Sequence, residues 1–237
     1  MKIGIIGAMD VEVRELRSKM TAERVTQRAG MTFWEGQIGE VPVVLVRSGV
    51  GKVNAGICVQ ILSDLFGVTH VLNTGVAGSL DSKIDIGDIV VSTTAAYHDV
   101  DATVFGYLYG EVPQLGTAAF QADKGLRAAA VKAVQEANPD IGVFEGQVVS
   151  GDQFIGRRDQ KEQVLGHFPA ALCTEMEGCA IAQAAYLNHL PFVIIRAISD
   201  KADESTTMAY DEFEGQAAIH CAKMVEYMLE HFTESAS

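Results

Sequence analysis

Short apolar runs punctuated by glycine alternate with helical stretches along the whole chain. That alternation is the pattern of an α/β fold, in which strands are buried between helices. Residues 2–8 predict the first strand, with Ile3, Ile5 and Ile6 set among Gly4 and Gly7, and a helix starts at Met9 and Asp10. Residues 32–38 and 41–46 predict two strands paired through Gly39-Glu40. SGVGKV at 48–53 is a glycine turn that opens a helix running to about Phe66. Further strands are expected at 69–72, at 86–92, and from 146 into a loop, complete by 155, that carries Phe154. Residues 191–195, PFVII, are apolar on both faces, as in a strand buried inside a parallel sheet. Helices are expected at 123–137, closed by Asn138-Pro139, across the small residues 179–185, and from near Tyr210 to about His231. Between Tyr97 and Pro113 lies a loop dense in aromatics, and 233–237 read as a frayed tail. There is no internal repeat, low-complexity segment or linker, so residues 1–237 read as a single α/β domain with helices on both faces.

Composition narrows the partners. A chain of 237 residues with 48% hydrophobic and 21% charged residues can bury a sizeable core and is not disordered. Its net charge of -13 argues against nucleic acid or an anionic membrane, since both need basic patches, and leaves neutral or cationic small ligands open. Cys58, Cys173, Cys179 and Cys221 form no CxxC pair and no zinc-ligand spacing with a histidine. Buried free thiols are the expectation, which suits a reducing cytoplasm. No secretory signal is visible at the start, and no apolar run approaches the ~18–20 residues of a membrane span.

Acids collect where strands end. TEMEG at 174–178 holds Glu175 and Glu177, and RAISD at 196–200 ends an apolar run in Asp200. Open α/β sheets place their ligand sites at the C-terminal ends of strands, where Asp200 is expected. Glu177 enters a helix near its N-terminus, where N–H groups and the helix dipole favour an ionised carboxylate. Glu12 lies near another helix start, just past a strand tip. The plain alternative is that these acids are caps and turn residues. The glycines of 3–9 and 48–53 do not form a dinucleotide or Walker motif, because GxGxxG and the Walker spacing are both absent. His98-Asp99 could suggest a metal or a catalytic dyad, but no further ligand spacing supports a metal.

Together, IGIIGAM followed by Glu12, SGVGKV, NTGVAGSL, YHDVDATVFGYLYG, VSGDQFI, TEMEG and RAISDKAD resemble the 5′-methylthioadenosine/S-adenosylhomocysteine nucleosidases of the nucleoside phosphorylase/hydrolase family. Seven motifs in order, from Lys2 to about Leu229, carry the resemblance. It implies a three-layer α/β/α sandwich around a mixed, twisted, nucleoside phosphorylase-like sheet, a homodimer, and hydrolysis of the N-glycosidic bond to release adenine, in methionine salvage and the methyl cycle. By that resemblance Glu12 activates the attacking water, and Asp200, oriented near Ser199, donates a proton towards adenine N7. Glu177 and Met176 hold the ribose, Phe154 stacks on adenine, and the backbone of Ile155 reads its edge. Val76, Ala77 and Gly78 belong to the substrate-binding set. Met9, Val50 and Tyr210 line the pocket for the 5′ substituent, which Ala102, Phe105 and Pro113 enter from the other protomer. Arg196 and Glu175 stand behind the water. No metal or organic cofactor is implied. The chain departs from the family pattern at Val76, where many members have Ser, and at Tyr210, where Phe is common.

The chemistry agrees with those residue types. Breaking the C–N bond builds positive charge on the ribosyl ring and negative charge on the base, so a protonated acid near N7 and carboxylates near the ribose favour the transition state. Asp200 is therefore expected in a desolvated pocket among other acids that raises its pKa. Three other readings remain: a purine nucleoside phosphorylase, a 6-amino-6-deoxyfutalosine hydrolase, and a non-catalytic nucleoside-binding protein of the same fold. A phosphorylase needs a cationic anion pocket, which Glu12 opposes.

Overall fold

The computed structural model describes residues 1–203 and 206–231, without the side chains of Ala22, residues 206–212 and Glu214. The expected frayed tail at 233–237 lies outside the described residues. The first half runs β1 (Ile3–Gly7), α1 (Asp10–Ser18), β2 (Thr21–Arg28), β3 (Met31–Ile38), β4 (Val41–Arg47), α2 (Lys52–Phe66) and β5 (His70–Ser79). The second half runs β6 (Ile89–Tyr97), β7 (Phe120–Gln121), α3 (Lys124–Ala137), β8 (Val143–Ser150), α4 (Arg158–His167), β9 (Ala171–Glu175), α5 (Gly178–Leu187), β10 (Phe192–Asp200) and α6 (Thr206–His231). A single 3-10 turn, Thr103–Phe105, interrupts the loop after β6.

The sheet is mixed. β1 sits between β4 and β5, parallel to both, and β3 and then β2 extend the β4 edge antiparallel. On its other side β5 pairs parallel with β10 and, near its end, antiparallel with β9. β10 pairs antiparallel with β6, β6 parallel with β8, and β8 parallel with β9. Those five strands therefore close into a ring, a closure that apolar periodicity does not encode because it depends on which strands meet. Ile, Val and Leu of β1, β5 and β10 are buried on both faces, as strands covered by helices on either side must be. α1, α3 and α6 cover one face, through Val13, Leu16, Leu126, Val134, Met224 and Val225. α2 and α5 cover the other, through Cys58, Val59, Leu62, Ile181 and Ala185. A smaller cluster of Leu80, Val149, Ile155, Val164 and Phe168 seats α4. Each fully buried Leu, Ile or Val contributes about 1.5–3 kcal/mol, so these layers hold the sheet. The result is the expected three-layer α/β/α arrangement.

Several local expectations shift. β5 does not stop at Leu72: the glycine-rich stretch 73–79 continues as strand. Its glycines are sites of close approach. Arg196 lies opposite Gly75 in register, and Asp200 opposite Gly78. A Cβ on Gly75 would collide with Arg196 Nη1 and come within 2.5 Å of Glu12 Oε1, and one on Gly78 would lie 2.8 Å from Asp200 Oδ1. β6 starts three residues late, at Ile89, and runs through Tyr97, so that aromatic belongs to the sheet and is buried. β2, α4 and β9 were not anticipated: β2 is a polar edge strand, α4 is mostly charged and polar, and β9 has five residues. α6 begins at Thr206, several residues before the expected start.

Gly75→Ala should fold with a destabilisation of about 1–3 kcal/mol, the usual cost of overpacking. At ~2–4 °C per kcal/mol for a chain of this size, a melt should show it directly. An unchanged melting temperature would mean that Arg196 does not need the space above Gly75.

Candidate active site

Glu12 is the third residue of α1, and its carboxylate turns back over the strand end that precedes the helix. Oε2 accepts from Ala8 N–H at 2.6 Å and Met9 N–H at 3.0 Å, while Oε1 accepts from Val76 N–H of β5 at 3.1 Å. One side chain thus ties the ends of two neighbouring strands. Burial pushes its pKa up, against the opposing influence of Arg196 and the three N–H donors. The proton affinity of a base is raised by the same burial that keeps water from dispersing its charge.

Arg196 and Glu175 form the floor. Arg196 is 0% exposed; its Nη2 donates to Asn73 Oδ1 at 2.6 Å and to Glu175 Oε2, and stands 3.9 Å from Glu177 Oε2. Burial works against the guanidinium charge, yet Glu175, Glu12 and Glu177 together raise its pKa. Glu175 Oε1 accepts from Ser150 Oγ, and Oε2 also accepts from Glu177 N–H at 3.1 Å and Gly178 N–H at 2.8 Å. Ser150 Oγ in turn accepts from Cys179 N–H at 2.7 Å. The first N–H groups of α5 are therefore taken by Glu175 and Ser150.

This corrects one expectation about Glu177. It sits at the N-cap of α5, but its side chain makes no cap hydrogen bond there. Its Oε1 instead accepts from Gly51 N–H at 2.7 Å, at the start of α2. With the α5 dipole already answered by Glu175, burial and the Glu175 charge push the Glu177 carboxyl up to about 7. The helix end does not hold Glu177 ionised.

Asp200 is the last residue of β10 and is buried. Oδ1 accepts from Ala202 N–H at 2.8 Å, and Oδ2 accepts from Ser199 Oγ at 2.9 Å. Ala202 reaches that carboxylate only by taking a left-handed φ of 51°, an uncommon conformation outside glycine that marks a constrained loop. Lys161 Nζ donates to Ser79 O at 2.8 Å and Lys201 O at 2.7 Å, which fastens the same loop to α4.

These groups face one cavity of about 170 Å³. Glu12, Glu175, Glu177, Ser199 and Asp200 line it with Met9, Val50, Val76, Ala77, Gly78, Phe154, Ile155 and Met176. Thirteen of the residues expected from the sequence therefore meet here, and Arg196 lies directly beneath through Glu175. Ala102, Phe105 and Pro113 do not reach the cavity from their own chain: Ala102 is buried, and the other two are exposed. The side chain of Tyr210 lies outside the described residues. Ala8, Gln153 and Thr174 line the cavity without having been singled out, although each adjoins a candidate residue. Ser150 and Asn73 were also missed; a small polar residue closing an apolar run was their one sequence signal. His98 and Asp99 lie behind the cavity wall. Among the described residues no group of three or more His, Cys, Asp or Glu side chains could hold a metal ion, and no helix is long and apolar enough to cross a membrane.

Residues 2–230 match the family described as Phosphorylase superfamily. The chain is 45% identical to the 5′-methylthioadenosine/S-adenosylhomocysteine nucleosidase of an Exiguobacterium species, over 95% of this chain and 96% of that protein. It superposes with a TM-score of 0.96 on the Colwellia psychrerythraea nucleosidase of the same name, solved with adenine, at 41% identity and covering 100% of this chain and 97% of that one. The Neisseria meningitidis nucleosidase, solved with methylthio-immucillin-A, gives a TM-score of 0.94 at 39% identity, covering 97% of this chain and 98% of that one. Matched over nearly its whole length in both sequence and fold, the chain belongs to the 5′-methylthioadenosine/S-adenosylhomocysteine nucleosidase family within the phosphorylase superfamily.

Proposed function

We propose that this chain hydrolyses the N-glycosidic bond of 5′-methylthioadenosine and S-adenosylhomocysteine, and of 5′-deoxyadenosine, releasing adenine and the 5-substituted ribose. The observation that carries this reading is the convergence of Glu12, Glu177 and Asp200 on one cavity from three different strand ends. Phe154 stacks on adenine, and the Ile155 backbone reads its edge. Asp200 faces N7. The Ala202 N–H holds Oδ1 and the Ser199 hydroxyl donates to Oδ2, which orients the carboxyl that gives its proton to the base. Glu177 and Met176 hold the ribose, and Glu12, with its raised proton affinity, takes a proton from the attacking water. Met9 and Val50 flank the 5′ substituent. The leaving base gains a proton as the bond breaks, while the carboxylates offset the positive charge on the ring.

Phosphorolysis is disfavoured by the same geometry. The Arg196 guanidinium is engaged beneath Glu175, and a phosphate in the cavity would face carboxylates. At ~4 Å and an effective dielectric near 20, each unit charge pair costs about 4 kcal/mol. Base release from a panel of 5′-substituted adenosines, with and without phosphate, tests the reading. A 5-substituted ribose 1-phosphate as the main product would reverse it.

The reading extends to assembly and setting. A homodimer is supported by the loop after β6, where Val104 is 85%, Phe105 80% and Leu108 67% exposed, more apolar surface than a lone chain ordinarily leaves in water. In it Ala102, Phe105 and Pro113 complete the partner's 5′ pocket. Four buried free cysteines support a cytoplasmic protein, acting in methionine salvage and the methyl cycle.

Asp200→Asn keeps the site's shape but removes the proton donor, so kcat should fall about 10²–10⁴-fold, and Glu12→Gln should lower kcat while still binding ligand. Near-normal kcat in both folded variants would sink the catalytic assignment. Glu177 gives a pH signature. A ribose hydroxyl donates best to an ionised carboxylate, and this carboxyl stays protonated up to about 7. KM should therefore fall as pH rises through that value, and Glu177→Gln should flatten the profile; parallel profiles would remove Glu177 from ribose binding. Sedimentation should find a dimer, and a fully active monomer at nanomolar concentration would exclude the shared pocket.

A further inference from the structure

α2 begins without a cap of its own. Its N-cap is Gly51, which has no side chain to accept from the first N–H groups. Unanswered N–H groups at a helix start are costly when shielded from water. Here two acids from distant segments accept from them: Glu177 Oε1 from Gly51 N–H at 2.7 Å, and Asp152 Oδ1 from Lys52 N–H at 2.9 Å. Asp152 immediately precedes Gln153, Phe154 and Ile155, the cavity-lining loop. Asp99 completes the arrangement from the end of β6. Its Oδ2 accepts from Asp152 N–H at 2.9 Å and from Lys52 Nζ at 2.7 Å. Lys52 Nζ also lies 3.8 Å from Asp152 Oδ2 and 5.2 Å above the Tyr97 ring, a cation–π position. His98 and Asp99 pack hard against Gly151, just before the loop: a side chain there would run into the His98 ring and come within 2.9 Å of Asp99 Cγ.

We propose that Asp99 and Lys52 are positioning residues that lock the 152–155 loop onto the start of α2, and so set the affinity of the site for the purine. Neither lines the cavity. They act through Asp152, whose backbone N–H is held by Asp99 and whose carboxylate is held by the α2 terminus and Lys52. The Lys52–Asp99 pair is partly shielded, with side-chain exposures of 23% and 14%, so solvent screens it less than a surface pair, whereas the Asp152 carboxylate is half exposed. The lock spans the cavity: the helix start that binds Asp152 also binds Glu177, so the purine-side loop and the ribose-side acid share one anchor. This account rests on the purine assignment of Phe154 and Ile155 given above, and it gives a role to Asp99 through its Oδ2.

The test uses the full-length protein with Asp99→Asn, Lys52→Met and the double variant, measured by steady-state kinetics with 5′-methylthioadenosine and by calorimetric titration with adenine. Loosening the loop should raise KM and the adenine Kd together by about 10-fold, with kcat changed less than about 3-fold, because the reacting groups are elsewhere. The double variant should lose less than the product of the two single losses, since Asp99 and Lys52 pair with each other and both hold Asp152. Lys52→Arg should recover part of the affinity. As a control, Arg127→Met breaks an ion pair with Glu145 that lies outside the cavity and should leave KM and Kd unchanged. Lower melting temperatures with unaltered KM and Kd would reduce the pair to a stabilising contact and overturn the proposal, as would a loss confined to kcat. If Asp99→Asn fails to fold, Lys52→Met reads the same contact. Adenine titration stands apart from turnover: a parent chain that binds adenine without hydrolysing nucleosides would sink the hydrolase reading and leave the lock testable.

Discussion

The site is organised around one fully buried guanidinium. Arg196 rises from the middle of β10, crosses the bare backbone of Gly75 on β5, and meets Glu175 from β9, with Glu177 and Glu12 close by. An unpaired charge there would cost several kcal/mol, and so would three carboxylates without it. Removing either side leaves the other uncompensated, so these strand ends must meet in one register. Closure of β5, β10, β6, β8 and β9 into a ring is what brings Arg196, Ser150 and Glu175 within reach of one another.

Three acids around one cation leave the charge unbalanced, and burial raises the pKa of both Glu12 and Glu177. Of the two acids on TEMEG, Glu177 lies further from the guanidinium. A buried pair repays its desolvation only when its remaining lone pairs are satisfied. Glu175 meets that condition with two α5 N–H groups and Ser150, and Glu12 with three N–H groups. Glu177 accepts from one backbone donor, Gly51, and is therefore the acid of the three most open to a new donor.

The layer architecture was legible because strands buried on both faces leave continuous apolar runs, and β1, β4 and β10 are of that kind. The acids were legible because they end such runs. Elements whose exposure breaks the pattern were not: β2 is a polar edge, and α4 mixes charge with few apolar anchors. The state of Glu177 was misread for a sharper reason. A helix N-terminus stabilises whichever acceptor reaches its N–H groups, and sequence adjacency named Glu177, whereas the fold gave those groups to Glu175 and Ser150. Likewise the glycines at 75 and 78 fell beyond the expected end of the strand at Leu72, and their purpose becomes visible only once Arg196 and Asp200 stand opposite them.

The same substitution of distant for local partners recurs at α2, and it has a mechanical consequence. A helix capped by its own Ser or Asp is complete whether or not the rest of the site has formed. A helix that starts at glycine and borrows Glu177 and Asp152 is complete only when TEMEG and the 152–155 loop are both in place. Formation of the pocket walls and formation of the helix start thereby become one cooperative event. Misplacing either wall breaks a charge-assisted bond at the helix start, and the loss is larger on the Glu177 side, which is part-buried, than on the Asp152 side, which faces water.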